Sequence, residues 1–197
     1  MDVTAVQITL HPMAKELLFK HYVPIKRIFS DVLGQQETDY ISIGLINASN
    51  QLIILSSNPG TEQNILEKHL WEFDHSYQPK FVYQDKPLSW SSIYDVNESK
   101  QLYKYKLTDL GLICGFSIPT DFDEYRAVFS FGFKYHEPNI IQMMEQTPNP
   151  FLAMGKYCLR EILSTIPLPN TVTKIYQFKP KLELVINNEV KYENPAR

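Results

Sequence analysis

The run GLICGFSIPTDFDEYRAVFSFGFK, residues 111–134, decides the fold of this chain. Two apolar segments flank a short acidic turn, a pattern that predicts two strands joined as a β-hairpin. Residues two apart in a strand lie on the same face, so the second segment separates large side chains from small ones. Its large face carries Phe129, Phe131 and Phe133, and its small face carries Val128, Ser130 and Gly132. The small face either closes a hydrophobic core or forms one wall of a ligand cavity.

A helix and another hairpin precede this stretch. Residues 11–33 predict a helix that Pro24 kinks or breaks, because proline lacks a backbone N–H and clashes with the preceding turn. The runs DYISIGLI and QLIILSS, residues 39–46 and 51–57, are typical of strands. The NASN between them predicts a tight turn, and the two runs are therefore expected to pair as a hairpin.

The segment NPGTEQNILEKHLWEFD, residues 58–74, predicts the next helix. Thr61 is a suitable residue to cap its first turn. Helical spacing places Ile65 and His69 on one apolar face, which we expect to point inward. Trp71 falls on roughly the opposite face and is expected to meet solvent or an interface.

Two more helices complete the predicted element order. They cover residues 97–112 and residues 138–166, and the TPNP sequence interrupts the second because proline is not accommodated in a helix interior. The resulting order α, ββ, α, α, ββ, α favours the α/β (α+β) class. We expect an antiparallel sheet with helices packed on both faces, an α-β-α sandwich like those of PAS and GAF domains.

Composition narrows the function. Hydrophobic residues make up 44% of the 197 residues, enough for a sizeable core, and the net charge is −3. That charge argues against nucleic-acid binding, which needs a concentrated basic face. No apolar run approaches the ~20 residues of a membrane span, and the N-terminus lacks the basic region of a secretory signal. Cys114 and Cys158 fit no metal or redox spacing, so the sequence predicts free thiols in a reducing, cytoplasmic compartment.

Catalysis is the least favoured function. Asp121, Asp123 and Glu124 lie together in a turn, which is ordinary turn chemistry. The five histidines have no metal-ligand spacing, and neither a phosphate-binding glycine loop nor an activated cysteine is recognisable. We therefore predict no enzyme activity, no metal and no cofactor.

The central hairpin carries a motif of a known family. The pattern G-[LI]-x-x-G-[FIV]-[ST]-x-P, followed by a strand with [ST]-[FLM], resembles the core of the autoinducer-binding domain of LuxR-type quorum-sensing transcription regulators. The matching positions are Gly111, Leu112, Gly115, Phe116, Ser117, Pro119, Ser130 and Phe131. The upstream run YQPKFVYQDKPLSW, residues 77–90, is similar to the family's Y-D-P-x-V segment with its following proline and tryptophan. The resemblance spans roughly residues 10–166 and implies binding of N-acyl-homoserine lactones between the sheet and the helices of one face.

The resemblance also implies pocket positions. The family's aromatic residue near the lactone head matches Trp90, its strand hydroxyl matches Ser130, and its motif glycine matches Gly115. By the same comparison, the small face of the hairpin borders a buried cavity opposite Trp90. A missing Cβ at Gly115 permits a close approach.

Several positions depart from the family. Gln78 replaces the aspartate that accepts the ligand's amide N–H, and Ile65 and His69 replace an inward tryptophan and tyrosine. A further tyrosine of that helix falls at Thr61. Loss of two or three hydrogen bonds worth about 1 to 3 kcal/mol each weakens lactone binding by orders of magnitude. A different ligand, or none, is therefore expected.

The expected organisation is a sensor domain over residues 1–166 and an extended or strand-like extension over residues 167–197. The extension has neither the length nor the charge of the family's helix-turn-helix, so we expect no direct DNA binding. The first hypothesis is a small-molecule sensor for an amphipathic or acyl ligand, acting through protein contacts as a homodimer or with a related regulator. The alternative is a ligand-free interaction module of the same fold. A cavity favours the sensor, whereas a filled interior with an exposed apolar patch favours the module.

Overall fold

The structure is a computed structural model, and it describes residues 6–84, 86–94, 99–135, 142, 146 and 148–169. These residues form one six-stranded sheet of order β1-β3-β2-β6-β5-β4. The strands are β1 Thr9–Leu10, β2 Tyr40–Ile46, β3 Gln51–Ser56, β4 Leu88–Ser89, β5 Cys114–Phe122 and β6 Tyr125–Phe133. Neighbouring strands are antiparallel except β1, which runs parallel to β3. The sheet is therefore mixed, and its parallel edge was not predicted because two residues carry no strand pattern.

Helices cover both faces of the sheet, as the sequence predicts. They are α1 Ala14–Lys20, α2 Tyr22–Ser30, α3 Pro59–Glu67, α4 Pro79–Val82, α5 Trp90–Ile93, α6 Lys100–Lys106 and α7 Asn149–Thr165. Short 3-10 turns lie at Gln35–Glu37, Leu70–Phe73, His75–Tyr77 and Thr108–Leu110. The α/β sandwich class is confirmed.

Two helix boundaries differ from the prediction. The first helical segment breaks at His21, and Pro24 lies in the first turn of α2. A proline is tolerated there because the first N–H groups of a helix have no intrahelical partner. Helix α3 is capped by Asn58 instead of Thr61, and the Asn58 side chain accepts a hydrogen bond from the Thr61 backbone N–H. Pro59 follows the cap directly, the position where proline is best accommodated.

Both predicted hairpins are present. The β2–β3 turn closes with the Asn50 N–H donating to the Asn47 carbonyl oxygen at 2.9 Å. In the other hairpin Phe116 pairs with Phe131 and Ser117 with Ser130. Strand β6 lies between β2 and β5, so the hairpin is central to the sheet.

The two faces of the sheet have different chemistry. We call the side that carries Phe129, Phe131 and Phe133 the phenylalanine face; α2 and α7 cover it. Phe151 of α7 lies against Phe116, with ring centroids 4.9 Å apart. We call the opposite side the small-residue face; it carries Gly44, Gly115, Gly132, Ser42, Ser117 and Ser130, and residues of α3 to α6 cover it.

Part of the chain lies outside the described residues. Residues 170–197 and most of residues 138–147 fall there. The extension over residues 167–197 thus stays a prediction. Among the helices of the described ranges, none combines the length and the apolar character that a membrane crossing requires.

Candidate functional site

Trp90 occupies the small-residue face. It opens α5 and its indole ring lies across two glycines of the sheet: a Cβ on Gly115 would sit 2.4 Å from its Cε3, and one on Gly132 would sit 3.0 Å from its Cη2. The contact at Gly115 is too short for any side chain and the one at Gly132 is tight, so the glycines make room for the ring. The space that the sequence predicts as a cavity opposite the hairpin here holds the indole.

A chain of hydrogen bonds fixes this ring. The buried Trp90 Nε1 donates to Ser117 Oγ at 3.0 Å, and Ser117 Oγ lies 2.8 Å from Ser130 Oγ. All three side chains are almost fully buried. Because a buried indole N–H needs an acceptor, the two serines that the motif places on this face satisfy the tryptophan.

Tyr77 fills the neighbouring part of the same face. A Cβ on Gly44 would lie 2.5 Å from Tyr77 Cε1, so the phenol ring also rests on a glycine. The Tyr77 hydroxyl is buried and has no hydrogen-bond partner. Two aromatic side chains therefore cover the face, and each lies over sheet positions that lack a Cβ.

A buried charge cluster lies beside these rings. Lys106 Nζ is 3.2 Å from Glu62 Oε1 and 3.8 Å from Asp74 Oδ2, and none of the three side chains reaches solvent. The Tyr40 hydroxyl donates to Glu62, and the Tyr94 hydroxyl donates to Asp74 Oδ2 at 3.1 Å. We call Glu62, Asp74 and Lys106 the charge cluster. Because Trp90 packs against the Tyr40 and Tyr94 rings, the cluster and the indole form one continuous site.

The electrostatics favour an ionised lysine and neutral tyrosines. Burial lowers the pKa of Lys106, but the nearby Glu62 carboxylate and the surrounding tyrosines raise it more, and the net pKa lies well above its usual value. Burial raises the pKa values of Tyr40, Tyr77 and Tyr94, and adjacent carboxylates add to the effect. Proton donors thus surround two acidic groups.

Four of the sequence-predicted site residues come together. Trp90, Ser130, Gly115 and Ile65 all lie on the small-residue face or on the α3 surface that covers it, and the Ile65 side chain is completely buried. These four residues are predicted to contact a ligand. A shared ligand requires them to lie close together, and they do.

His69 was predicted to face inward, and this is wrong. Its side chain is 69% exposed and lies 3.4 Å from Glu72. Helix α3 ends at Glu67, and His69 adopts a left-handed backbone with φ of 55°. The helical spacing that placed His69 beside Ile65 does not extend this far. The same break turns Trp71 inward, so the expectation of a solvent-facing Trp71 is also wrong.

Gln78, predicted as a ligand-binding residue, lies at the surface, and its role in binding stays a prediction. Its side chain is exposed, and its extended backbone precedes α4. It lies on the rim of a cleft of about 400 Å³ between residues 6–10 and the segment of residues 71–79. Asp74 and Tyr77 line this cleft too, so the cleft adjoins the charge cluster although Gln78 takes no part in it.

Sequence reasoning missed the charge cluster. Lys106 falls on the apolar stripe of α6, four residues after the buried Leu102, and a lysine at such a position is a detectable signal. Glu62 shares a helix face with Ile65 and Leu66 in the same way. Asp74 lies between two 3-10 turns, where no periodicity places it, so only the tertiary structure brings the three charges together.

Comparison with solved structures finds proteins whose fold is similar to that of this chain. The fold matches SdiA of Escherichia coli at 12% identity with a TM-score of 0.55, covering 81% of this chain and 71% of that one. It matches the ligand-binding domain of VqsR from Pseudomonas aeruginosa at 16% identity with a TM-score of 0.50, covering 77% of this chain and 99% of that one. The fold is that of the LuxR-type autoinducer-binding domain.

This LuxR-type fold confirms the resemblance drawn from the hairpin motif. A further SdiA structure, in complex with octanoyl-rac-glycerol, aligns at 13% identity with a TM-score of 0.49, covering 82% of this chain and 62% of that one. No family model matches the sequence, and neither does any curated protein. At these identities the likeness establishes the LuxR-type fold, and function rests on the site itself.

Proposed function

We propose that the chain is a small-molecule sensor domain of the LuxR-type fold, a quorum-sensing-like module that acts through protein contacts and not through its own DNA binding. Its ligand binds on the small-residue face, against Trp90, Ser130, Gly115 and Ile65. The LuxR-type fold supports this proposal, and so does the composition of that face: the sheet beneath the indole is glycine and serine, and one hydrogen bond holds the indole there. Rotation of that single side chain uncovers a groove floored by glycine and serine.

The ligand is a small amphipathic or acyl compound. Apolar side chains of α3, α4 and α6 surround the groove, and Ser117 and Ser130 supply hydroxyls at its floor. The exposed Gln78 does not replace the family's ligand-binding aspartate, so a homoserine lactone loses its charge-assisted hydrogen bond at that position. A ligand without the lactone head is favoured for this reason.

We propose no catalytic activity for this site. The buried thiol of Cys158 belongs to the phenylalanine face, outside this site, and burial raises its pKa to about 12, which leaves it protonated at neutral pH. Within the described ranges no three His, Cys, Asp or Glu side chains are grouped so that they could hold a metal ion. A binding role uses the buried polar groups without requiring either.

Trp90 fluorescence tests the sensor function. The chain has two tryptophans, so Trp71→Phe leaves Trp90 as the sole indole reporter. Octanoyl-rac-glycerol and N-octanoyl-homoserine lactone are the probes, and we expect the former to shift the Trp90 emission and to raise the melting temperature. Ser130→Phe, which fills the groove floor, should abolish both responses, whereas Ser30→Phe on the exposed end of α2 should keep them. Unchanged emission and melting temperature with both probes would contradict the proposal.

A second candidate function is a ligand-free interaction module. The indole that fills the small-residue face favours it, and so does an apolar patch at the junction of α1 and α2. There Val23 is 73% exposed and Phe19 is 43% exposed. The module would pair with a second copy or with a related regulator through this patch. Sedimentation of the chain and of Val23→Glu tests it: a concentration-dependent dimer that the charge disrupts supports the module, and a monomer at all concentrations opposes self-pairing.

A further inference from the structure

The charge cluster has an excess of negative charge in the interior. Two carboxylates, Glu62 and Asp74, face one ammonium, Lys106, and all three are buried. With the pKa of Lys106 raised, the lysine stays positive and the cluster carries a net charge of minus one when both carboxylates are ionised. An uncompensated buried charge is costly, so the folded chain is expected to gain from a cation at this place.

Hydrogen-bonding capacity in the cluster is also unfilled. Glu62 Oε1 accepts from Lys106 and Tyr40, whereas Glu62 Oε2 is buried without a partner. The Tyr77 hydroxyl is likewise buried without a partner, and it interacts electrostatically with all three charges. A carboxylate oxygen and a hydroxyl thus lie in the same interior region, each without a hydrogen-bond partner.

A surface cleft adjoins this region, although the Asp74 side chain itself does not reach solvent. The cleft of about 400 Å³ beside β1 has Asp74 and Tyr77 in its wall, the same residues that border the charge cluster. Of the described residues that line it, Glu72 and Asp74 carry charge, and both are acidic. A wall with acidic groups attracts cations and disfavours anions, and the size of the cleft is that of a small-molecule site.

We propose that the charge cluster, reached through the cleft beside β1, binds the ammonium group of a small primary amine. An alkylammonium supplies one positive charge, which brings the buried net charge to zero, and N–H donors for Glu62 Oε2 and the Tyr77 hydroxyl oxygen. Asp74 contributes its charge, because its oxygens already accept from Ser76 and Tyr94. Its apolar part lies toward Trp90 and the small-residue face. This inference rests on the proposed function, because both place a ligand on that face, and it specifies the chemistry of the ligand's head.

Matched probes test the inference on the full chain. n-Hexylammonium and n-hexanamide have the same chain length and differ in the charge of the head. We expect hexylammonium to bind at least tenfold more tightly in calorimetric titration and to raise the melting temperature more. Glu62→Gln should abolish this preference, because it removes one buried negative charge while keeping the side-chain shape. Glu67→Gln makes the same chemical change on the exposed side of α3 and should leave the preference intact.

The possible outcomes separate this inference from the proposed function. If hexanamide binds as tightly as hexylammonium, or if only octanoyl-rac-glycerol shifts Trp90, the ammonium site is overturned and the sensor function stands. If none of the probes acts, both are overturned. If Glu62→Gln does not fold, Asp74→Asn makes the equivalent change. A preference for the ammonium that survives both substitutions, or that Glu67→Gln also removes, contradicts the assigned site.

Discussion

The two faces of the sheet are stabilised by different kinds of buried contact. On the phenylalanine face the rings of Phe116, Phe131 and Phe151 pack against one another with centroids 4.9 to 5.5 Å apart. On the small-residue face an equally buried region holds Lys106 and two carboxylates. The first face is stabilised by removal of apolar surface from water, which is a non-directional effect. The second depends on pairing, because each buried charge is costly without its partner.

The difference indicates where function lies. On the phenylalanine face the Tyr125 hydroxyl is buried without a partner, but no buried charge accompanies it. The charge cluster has an excess carboxylate, and the unpartnered hydroxyl of Tyr77 lies beside it. Polar groups that stay unsatisfied in the interior lower the free energy of unfolding, and a protein retains them most readily where they meet a ligand. Comparable substitutions on the two faces are therefore expected to change the stability of the fold by different amounts.

The largest expected effect is that of Lys106→Met. Removal of the ammonium leaves two carboxylates buried without a cation, and we expect the free energy of unfolding to fall by about 3 to 5 kcal/mol. Lys104→Met, on the exposed side of the same helix, should change it by less than about 0.5 kcal/mol. Urea unfolding measures both. The triple variant that adds Glu62→Gln and Asp74→Asn should regain most of the loss, and a failure to do so would show that Lys106 acts mainly by packing.

Intermediate effects are expected from changing the polarity of one buried side chain on each face. Cys158 is fully buried in that cluster, and Cys158→Ser places a hydroxyl among apolar side chains, at a cost of about 1 to 3 kcal/mol. Ser130→Ala on the opposite face removes one hydrogen bond but leaves Ser117 paired with Trp90, and should cost about 0.5 to 1.5 kcal/mol. Thermal unfolding of the two variants in parallel measures both losses, and a smaller loss for Cys158→Ser than for Ser130→Ala would contradict the assigned difference in polarity.

Alkaline pH should act through the small-residue face. Burial raises the pKa of Tyr40 above its usual value of 10.0, so above that pH the unfolded chain releases a proton that the folded chain retains. Stability then falls as pH rises, and the raised pKa of Lys106 adds in the same direction above 10.5. Tyr40→Phe should make the loss shallower by up to about 1.4 kcal/mol per pH unit. Unfolding free energies between pH 9 and pH 12 measure the slope, and an unaltered slope would place Tyr40 in contact with solvent.

The smallest effect concerns His69 and Gln78, the two candidate residues whose side chains are exposed. His69→Ala and Gln78→Ala alter exposed side chains, and each should change the free energy of unfolding by less than about 0.5 kcal/mol. The response of Trp90 to octanoyl-rac-glycerol should also be unchanged. A loss of that response in either variant would restore the residue to the binding site and would contradict the separation of cleft rim and groove.

The local chemistry of the chain determined the sheet and its two faces. Alternation in residues 125–133 assigns the phenylalanines and the small residues correctly, because side-chain direction in a strand follows from position alone. The hairpin turns and the glycine motif that begins at Gly111 could also be predicted from the sequence, because turn residues act within a few positions. Helix ends were harder to predict. The cap of α3 and the left-handed backbone of His69 each depend on alternative local conformations that differ little in free energy.

Only the tertiary structure decided what the small-residue face contains. The sequence indicates space above Gly115 and Gly132, but the glycine pattern is the same whether a ligand or Trp90 fills that space. Glu62, Asp74 and Lys106 come from segments up to 44 residues apart, and their pairing is a property of distance in space. Periodicity reports which way a side chain points from its own element. The partner that it meets there depends on how the elements pack, and no local pattern contains that information.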